Sequence, residues 1–330
     1  MSETVAVLGA GNMGTALAQV IAGNGHAVRL WSIEHDVLEE IKDHSLNTKY
    51  LEDVSLHDGI TAVWDLAEAV DGARLIVISV PSQIVPSLAR DLAPSVTPGQ
   101  LVLNVAKGLE AGTHRRMSEA VAAELARPCT PFIGSMGGPA IAIDMARGLP
   151  LAIIIAIADS QGCADVQSIL QNRNLKVEAT RDVTGLELCA TLKNVYAIAL
   201  GICDGIGHGT NYKAFLSSVA LAEMKAINVT LGGQPETVYG LAGVGDLLTT
   251  GFSEHSRNRT LGQKLGEDSD WKHFLETNTV EGVVACKAIS ELVSNRGLAV
   301  PLLDTVYDIL FDPQPAPAAL YRFFQDFSYN

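Results

Sequence analysis

The sequence predicts an α/β protein in two domains: a doubly wound, mostly parallel sheet over residues 1–182, followed by an all-helical domain over residues 183–330. Three observations carry this expectation. A chain of 330 residues is longer than one hydrophobic core usually serves. Up to residue 180, short apolar β-rich runs alternate with helical patterns, and unbroken apolar strands separated by helices imply a sheet covered on both faces. After Thr184 the strand signals stop and only helical periodicity continues.

Element by element, strands are expected at 4–9, 26–32, 74–81, 101–106, 131–135, 151–158 and 176–180, with helices such as 13–23, 83–92 and 113–126 between them. The second half carries helical patterns at 184–203, 211–231, 258–265, 281–295 and 301–311, so the junction falls near residue 182. The stretch "DPQPAPAAL" (312–320) reads as a short proline-rich connection. The aromatic residues that follow it, Tyr321, Phe323, Phe324, Phe327 and Tyr329, read as packed against the body or a partner subunit, and a homodimer is expected.

Composition excludes several classes of partner. A formal charge of −14 argues against nucleic acid or an anionic membrane surface, and requires that any anionic substrate find a local cluster of cations and backbone N–H groups. Cys129, Cys163, Cys189, Cys203 and Cys286 are odd in number, scattered and without a C-x-x-C pair, as suits reduced thiols in packing roles. The eight histidines include no H-E-x-x-H pattern, and no metal site is expected. "MSETVAVLG" enters a strand almost at once, leaving no room for a signal peptide. The longest apolar run, 149–158, is too short to span a bilayer, so a cytoplasmic protein without membrane insertion is expected.

The first strand leads into Gly9, Gly11 and Gly14 in G-x-G-x-x-G spacing, followed by an apolar helix and a second strand. In that context the spacing points to dinucleotide binding. Gly9 permits the tight turn, Gly11 lets a pyrophosphate approach the backbone, and Gly14 lets helix pack closely on strand. Glu34 lies twenty positions after Gly14, where an acid would bond a ribose 2′-hydroxyl, and "WSIE" offers no arginine for a 2′-phosphate. The cofactor expected is therefore NAD, with NADP also open. "VPSQ" (80–83) and "AKGLE" (106–110) end two further strands, where such sheets bind ligands; Lys107 there either reaches a ligand or is simply solvated.

The helical half poses a question at "TLKNVYAIALGICDG" (191–205). Lys193 sits in an almost wholly apolar helix, and none of its helical neighbours Leu186, Cys189, Ala190, Tyr196, Ala197 and Leu200 is an acid. Either the ammonium is buried, at a cost or with a depressed pKa, or it snorkels to solvent. Further on, glycines at 240, 243 and 245 are expected to form a loop presenting Asp246. Ser256 suits the N-cap of a helix beginning at Arg257 and Asn258, where an arginine fork and backbone donors would meet an anion; the alternative is an ordinary cap with a solvated arginine.

Taken together, the glycine fingerprint, "NTKYLEDVSL" (47–56), "VPSQ", "AKGLE", "GGPAIAIDMARGLP" (137–150), "LKNVYAIALGICDG", "LAEM" (221–224), "GLAGVGDL" (240–247), "SRN" (256–258) and "VEG" (280–282) follow one order along nearly the whole chain. In this the chain resembles the soluble bacterial type of NAD(P)-dependent glycerol-3-phosphate dehydrogenase. The resemblance implies a Rossmann-type doubly wound sheet followed by an all-helical C-terminal domain. It also implies reversible hydride transfer between sn-glycerol 3-phosphate, a small phosphorylated substrate, and dihydroxyacetone phosphate, feeding phospholipid synthesis. It makes Lys193 the proton acceptor, whose pKa burial can lower toward the working range, with Lys107 and Asp246 beside the reaction. Gly138, Ser256, Arg257 and Asn258 become substrate contacts, and Asn12, Met13, Ala142, Glu281, Lys107 and Arg257 join the glycines and Glu34 on the cofactor.

The chain departs from the family pattern at Ala140, where a Ser or Thr is usual, and at Ser218, Val219 and Ala220, where T-R-G is usual. Met13 and Ile33 replace a common aromatic and a common arginine. Two other readings stand beside this one. A β-hydroxyacid type of dehydrogenase would also use a helical-domain lysine, but typically in K-x-x-N, where this chain has Tyr196. A non-catalytic dinucleotide sensor would need only the first domain.

Overall fold

A computed structural model describes residues 2–125, 132–312 and 314–328. Cys129, Tyr329 and the ends of two expected elements, Ala126 and Pro131, lie outside these described residues. The chain forms two compact units, Met1–Val183 and Thr184–Asn330.

The first unit runs β1 (Thr4–Leu8), α1 (Asn12–Gly23), β2 (Ala27–Trp31), α2 (His35–His44), β3 (Ile60–Val63), α3 (Leu66–Val70), β4 (Leu75–Ile78), α4 (Val85–Leu92), β5 (Leu101–Asn104), α5 (Met117–Leu125), β6 (Phe132–Gly137), α6 (Ala142–Ala146), β7 (Leu151–Ile157), α7 (Ser160–Leu170) and β8 (Leu175–Thr180). Its strands form one sheet in the order β3-β2-β1-β4-β5-β6-β7-β8. β1 to β6 are parallel, β7 runs antiparallel to β6, and β8 is parallel to β7.

Alternation explains why the sheet is covered on both faces. In β1, Val5 and Val7 enter one apolar cluster while Ala6 and Leu8 enter the other; in β4, Leu75 and Val77 divide from Ile76 and Ile78 in the same way. Each buried Val, Leu or Ile among them stabilises the fold by about 1.5–3 kcal/mol, which a solvated face would forgo. Chain order reverses between β1 and β4, opening a crevice at the carboxyl ends of these strands. β3 is an addition to the elements expected from the sequence. Helix α5 starts at Met117 rather than 113, because Leu109 and Arg116 pair as an isolated bridge that holds the preceding turn.

The second unit contains α8 (Val183–Ile206), α9 (Thr210–Thr230), α10 (Pro235–Tyr239), α11 (Asp246–Phe252), α12 (Arg257–Gly266), α13 (Trp271–Thr277), α14 (Glu281–Ser294), α15 (Pro301–Phe311) and α16 (Ala316–Asp326). Helix α8 is long and apolar enough to cross a membrane, yet its most apolar 18 residues are wholly buried within the protein. Glycines let α12 lie directly on α8: a methyl at Gly201 or Gly205 would overlap the backbone of Arg259 or Gln263, and one at Gly262 or Gly266 that of Ile198 or Ile202.

Two expectations are corrected here. Residues 241–245 are a π-helical turn that runs straight into α11, so Asp246 opens a helix instead of being presented by a loop. The glycines leave room for it: a methyl on Gly243 would overlap the backbone of Val238. Of the proline-rich stretch, residues 316–320 open α16 rather than forming a connection, because a proline at the start of a helix gives up only an N–H that has no partner there. Phe323 and Phe324 of α16, with Phe327 just after it, pack around Tyr212 and Phe215 of α9.

Candidate active site

In the first unit the glycine loop follows β1 at the crevice. Gly9 has φ +111°, which side chains rarely adopt, and its N–H donates to the Trp31 carbonyl at 2.7 Å. A methyl on Gly9 would meet Ser79 and one on Gly14 would meet Gly9, whereas one on Gly11 would meet nothing within 4 Å. Gly9 and Gly14 thus serve the fold, and Gly11 alone faces open space. Gly11 also caps α1 without a side-chain bond, so the backbone donors of the first turn, at Asn12 and Met13, point toward that space. A bare cradle at a helix N-terminus is what a pyrophosphate needs, and the residues present fit a dinucleotide. Met13 itself rests against the core, as do Ala140 and Ala142, the latter opening α6 shortly after Gly138 ends the turn from β6.

Glu34 stands three residues after β2, at the N-cap of α2. Its carboxylate is ion-paired with Lys49 and accepts a hydrogen bond from the Tyr50 hydroxyl at 2.7 Å. These donors hold the Glu34 carboxyl below its ordinary range. Lys107 lies three strand positions away, after β5, in a turn that Asn104 holds through the Ala106 N–H and carbonyl. Glu34 and Lys107 therefore occupy separate ends of the crevice, as the adenosine and nicotinamide ends of a dinucleotide require.

In the second unit the question posed by Lys193 has a direct answer. The side chain is 7% exposed and its acid comes from a distant part of the chain: it pairs with Asp246, whose side chain is 2% exposed, and donates to the Thr250 hydroxyl at 2.7 Å. Asp246 and Thr250 are four residues apart on α11 and share one face. Desolvating both charges costs several kcal/mol, so a pair this deep is weak evidence for stability alone. Asn194, the next residue of α8, donates to Glu281 at 3.1 Å and accepts from Asn258 at 3.0 Å. The Asn258 side-chain oxygen accepts from the Gly282 N–H at 2.8 Å. Three helices, α8, α12 and the start of α14, are thereby joined at Asn194, the residue after Lys193.

Ser256 caps α12 through a 3.2 Å bond from the Arg259 N–H. Arg257, the first residue of that helix, is exposed and has no protein partner among the described residues. Motif reading missed Thr250, Lys49 and Tyr50. Thr250 becomes visible once 246–252 is read as a helix, since it then falls one turn after Asp246. Lys49 and Tyr50 carry no local signal of their own.

Residues 4–163 match the family model described as NAD-dependent glycerol-3-phosphate dehydrogenase N-terminus, and residues 182–321 match that of its C-terminus. A Clostridium perfringens glycerol-3-phosphate dehydrogenase (NAD(P)+) is 35% identical over 319 residues, covering 96% of this chain and 95% of its own. One from Geobacillus kaustophilus is 38% identical over 324 residues, covering 96% and 94%. The crystal structure of glycerol-3-phosphate dehydrogenase from Coxiella burnetii superposes with a TM-score of 0.91 at 33% identity, covering 98% of this chain and 99% of that one. The chain belongs to the NAD-dependent glycerol-3-phosphate dehydrogenase family.

Proposed function

We infer that this protein catalyses the NAD(P)-dependent interconversion of sn-glycerol 3-phosphate and dihydroxyacetone phosphate. Beyond family membership, the observation that carries this reading is the buried Lys193–Asp246–Thr250 cluster, which a dinucleotide sensor would have no use for. When bound, the nicotinamide supplies or accepts the hydride at C2 of the substrate. Lys193 gives a proton to the C2 oxygen during reduction and takes it back during oxidation. Asp246 and Thr250 fix the direction of its amine, which keeps the proton transfer short and aligned. Asn258 and Glu281 hold Asn194 and with it the neighbouring turn of α8. Arg257, unpaired at a helix start, takes a phosphate of substrate or cofactor through its planar fork. Gly138, Ser256 and Lys107 complete the phosphorylated-substrate contacts. Gly11, Asn12, Met13, Glu34 and Ala142 hold the dinucleotide, and Gly9 and Gly14 shape the loop that receives it.

On this reading residues 1–182 form the dinucleotide-binding domain and residues 183–330 the helical substrate and catalytic domain. The protein works in the cytoplasm as a homodimer; support for the subunit contact is that Tyr321 and Phe324 of α16 stay 56% and 49% exposed. The test is NADH oxidation at neutral pH with dihydroxyacetone phosphate, repeated with NADPH and with unphosphorylated dihydroxyacetone. Rapid oxidation confined to the phosphorylated ketone is expected. Binding of NADH without oxidation would overturn the assignment.

A further inference from the structure

Glu34 is not a lone acid at the end of β2. One of its oxygens is ion-paired with Lys49 and the other accepts from Tyr50, so the site that faces a ribose 2′ position holds a neutral pair. Both partners come from one segment, and that segment is fastened to the glycine loop. Asn47, fully buried, donates to the Ala10 carbonyl and to the Thr15 hydroxyl, each at 2.8 Å. Asn12 donates back to the Tyr50 carbonyl at 2.9 Å. Residues 47–50 are thus held in place against the phosphate cradle while their side chains reach Glu34.

We propose that Lys49 determines how this protein discriminates between NAD(H) and NADP(H), by neutralising Glu34 and by offering its own ammonium to a 2′-phosphate. The proposal rests on the dinucleotide reading given above. A carboxylate alone would bond a 2′-hydroxyl and repel a 2′-phosphate. Paired with Lys49, it does the first while the repulsion is offset. The Lys49 side chain is 49% exposed on a flexible stem, so the ammonium can leave Glu34 for an incoming phosphate. Tyr50 keeps its hold on the other Glu34 oxygen throughout. An exposed ion pair contributes little to stability, which makes such an exchange inexpensive.

The test measures the dissociation constants of NADH and NADPH for the full-length protein without substrate, from nicotinamide fluorescence. Lys49→Met should raise the NADPH-to-NADH ratio of these constants by about tenfold, mostly through weaker NADPH binding. Lys49→Arg should restore a ratio close to that of the unmutated protein. Glu34→Gln should lower the ratio by tightening NADPH and weakening NADH. A ratio that Lys49→Met leaves within about twofold, or lowers, would overturn the role of Lys49 while the cofactor site stands. Failure of the unmutated protein to bind either dinucleotide would overturn the site itself, and the proposal with it.

Discussion

Replacing Gly282 by alanine tests whether the network around Lys193 sets a distance. Gly282 is the second residue of α14, and a methyl on it would stand 2.6 Å from the Asn194 carbonyl oxygen, 2.7 Å from the Asn258 side-chain oxygen and 2.9 Å from Ile198 Cδ1. Ordinary contact needs roughly 3.4 Å or more, so α14 must retreat by about 0.8 Å. Neither oxygen can yield, since one is α8 backbone and the other belongs to the buried Asn258. Retreat stretches the Gly282–Asn258 bond from 2.8 Å and the Asn194–Glu281 bond from 3.1 Å together. Overpacking of this kind costs about 1–3 kcal/mol of stability, and misplacing a site by about 1 Å can cost on the order of 100-fold in rate. We expect kcat/KM for dihydroxyacetone phosphate to fall by about 10- to 100-fold in a folded protein. Gly209→Ala is the control, because nothing lies within 4 Å of its added methyl. Steady-state kinetics and thermal melting of both variants decide the matter. If Gly282→Ala melts lower but keeps kcat/KM within about twofold, the network only packs helices and the spacing argument fails.

Lys193→Met should lower kcat by about 100-fold or more and leave the NADH dissociation constant unchanged; ordinary turnover would end its role in proton transfer. Arg257→Ala removes a charge-assisted bond of roughly 1.5–3 kcal/mol, so KM for dihydroxyacetone phosphate or for the cofactor should rise about 10- to 100-fold, and two unchanged KM values would make Arg257 an ordinary surface residue. Burial pushes the Glu223 carboxyl from its ordinary value of 4.5 up to about 7, against the donors Tyr196, Leu302 and Leu303. The unfolded chain releases this proton first, so stability falls as pH rises from about 4.5 to about 7, by roughly 3 kcal/mol; Glu223→Gln should remove that dependence in denaturant titrations, and an unchanged slope would refute it.

Much of the fold was legible because its signals are local. Unbroken apolar strands and the glycine spacing mark the first sheet without reference to anything distant. β3 escaped because only Val63 of its four residues is fully buried, which leaves an edge strand with almost no pattern. α16 escaped because prolines at a helix start look like a linker until the aromatic face behind them is seen to pack. At the site, Lys193 was conspicuous as a charge among apolar neighbours, but its partner lies 53 residues away on another helix, and no local spacing encodes that. Lys49 had the same difficulty in reverse: an exposed lysine is unremarkable until the loop carrying it is placed beside Glu34.

Two of the departures from the family pattern, on α9 and at Ala140, acquire different weights in the structure. Val219 is 1% exposed on α9, one turn before Glu223, so where a T-R-G sequence is usual this chain has a packing residue in the interior of the second unit. Its neighbour Ser218 is exposed and spends its hydroxyl on the Ala214 carbonyl of the same helix. With no arginine there, Glu223 is held by one hydroxyl and two backbone N–H groups from the start of α15, all uncharged. That accounts for a carboxyl that burial can push upward, and it makes the departure a matter of stability and its pH dependence rather than of substrate choice. Ala140 is another matter, since it lies two residues after Gly138 and is only partly buried against the first core. A hydroxyl absent there would be absent from the crevice side of the fold. Substrate affinity should therefore respond to Ala140→Ser, with a lower KM for dihydroxyacetone phosphate, and remain indifferent to changes at Ser218; the opposite pattern would refute this weighting and make α9 part of the substrate site.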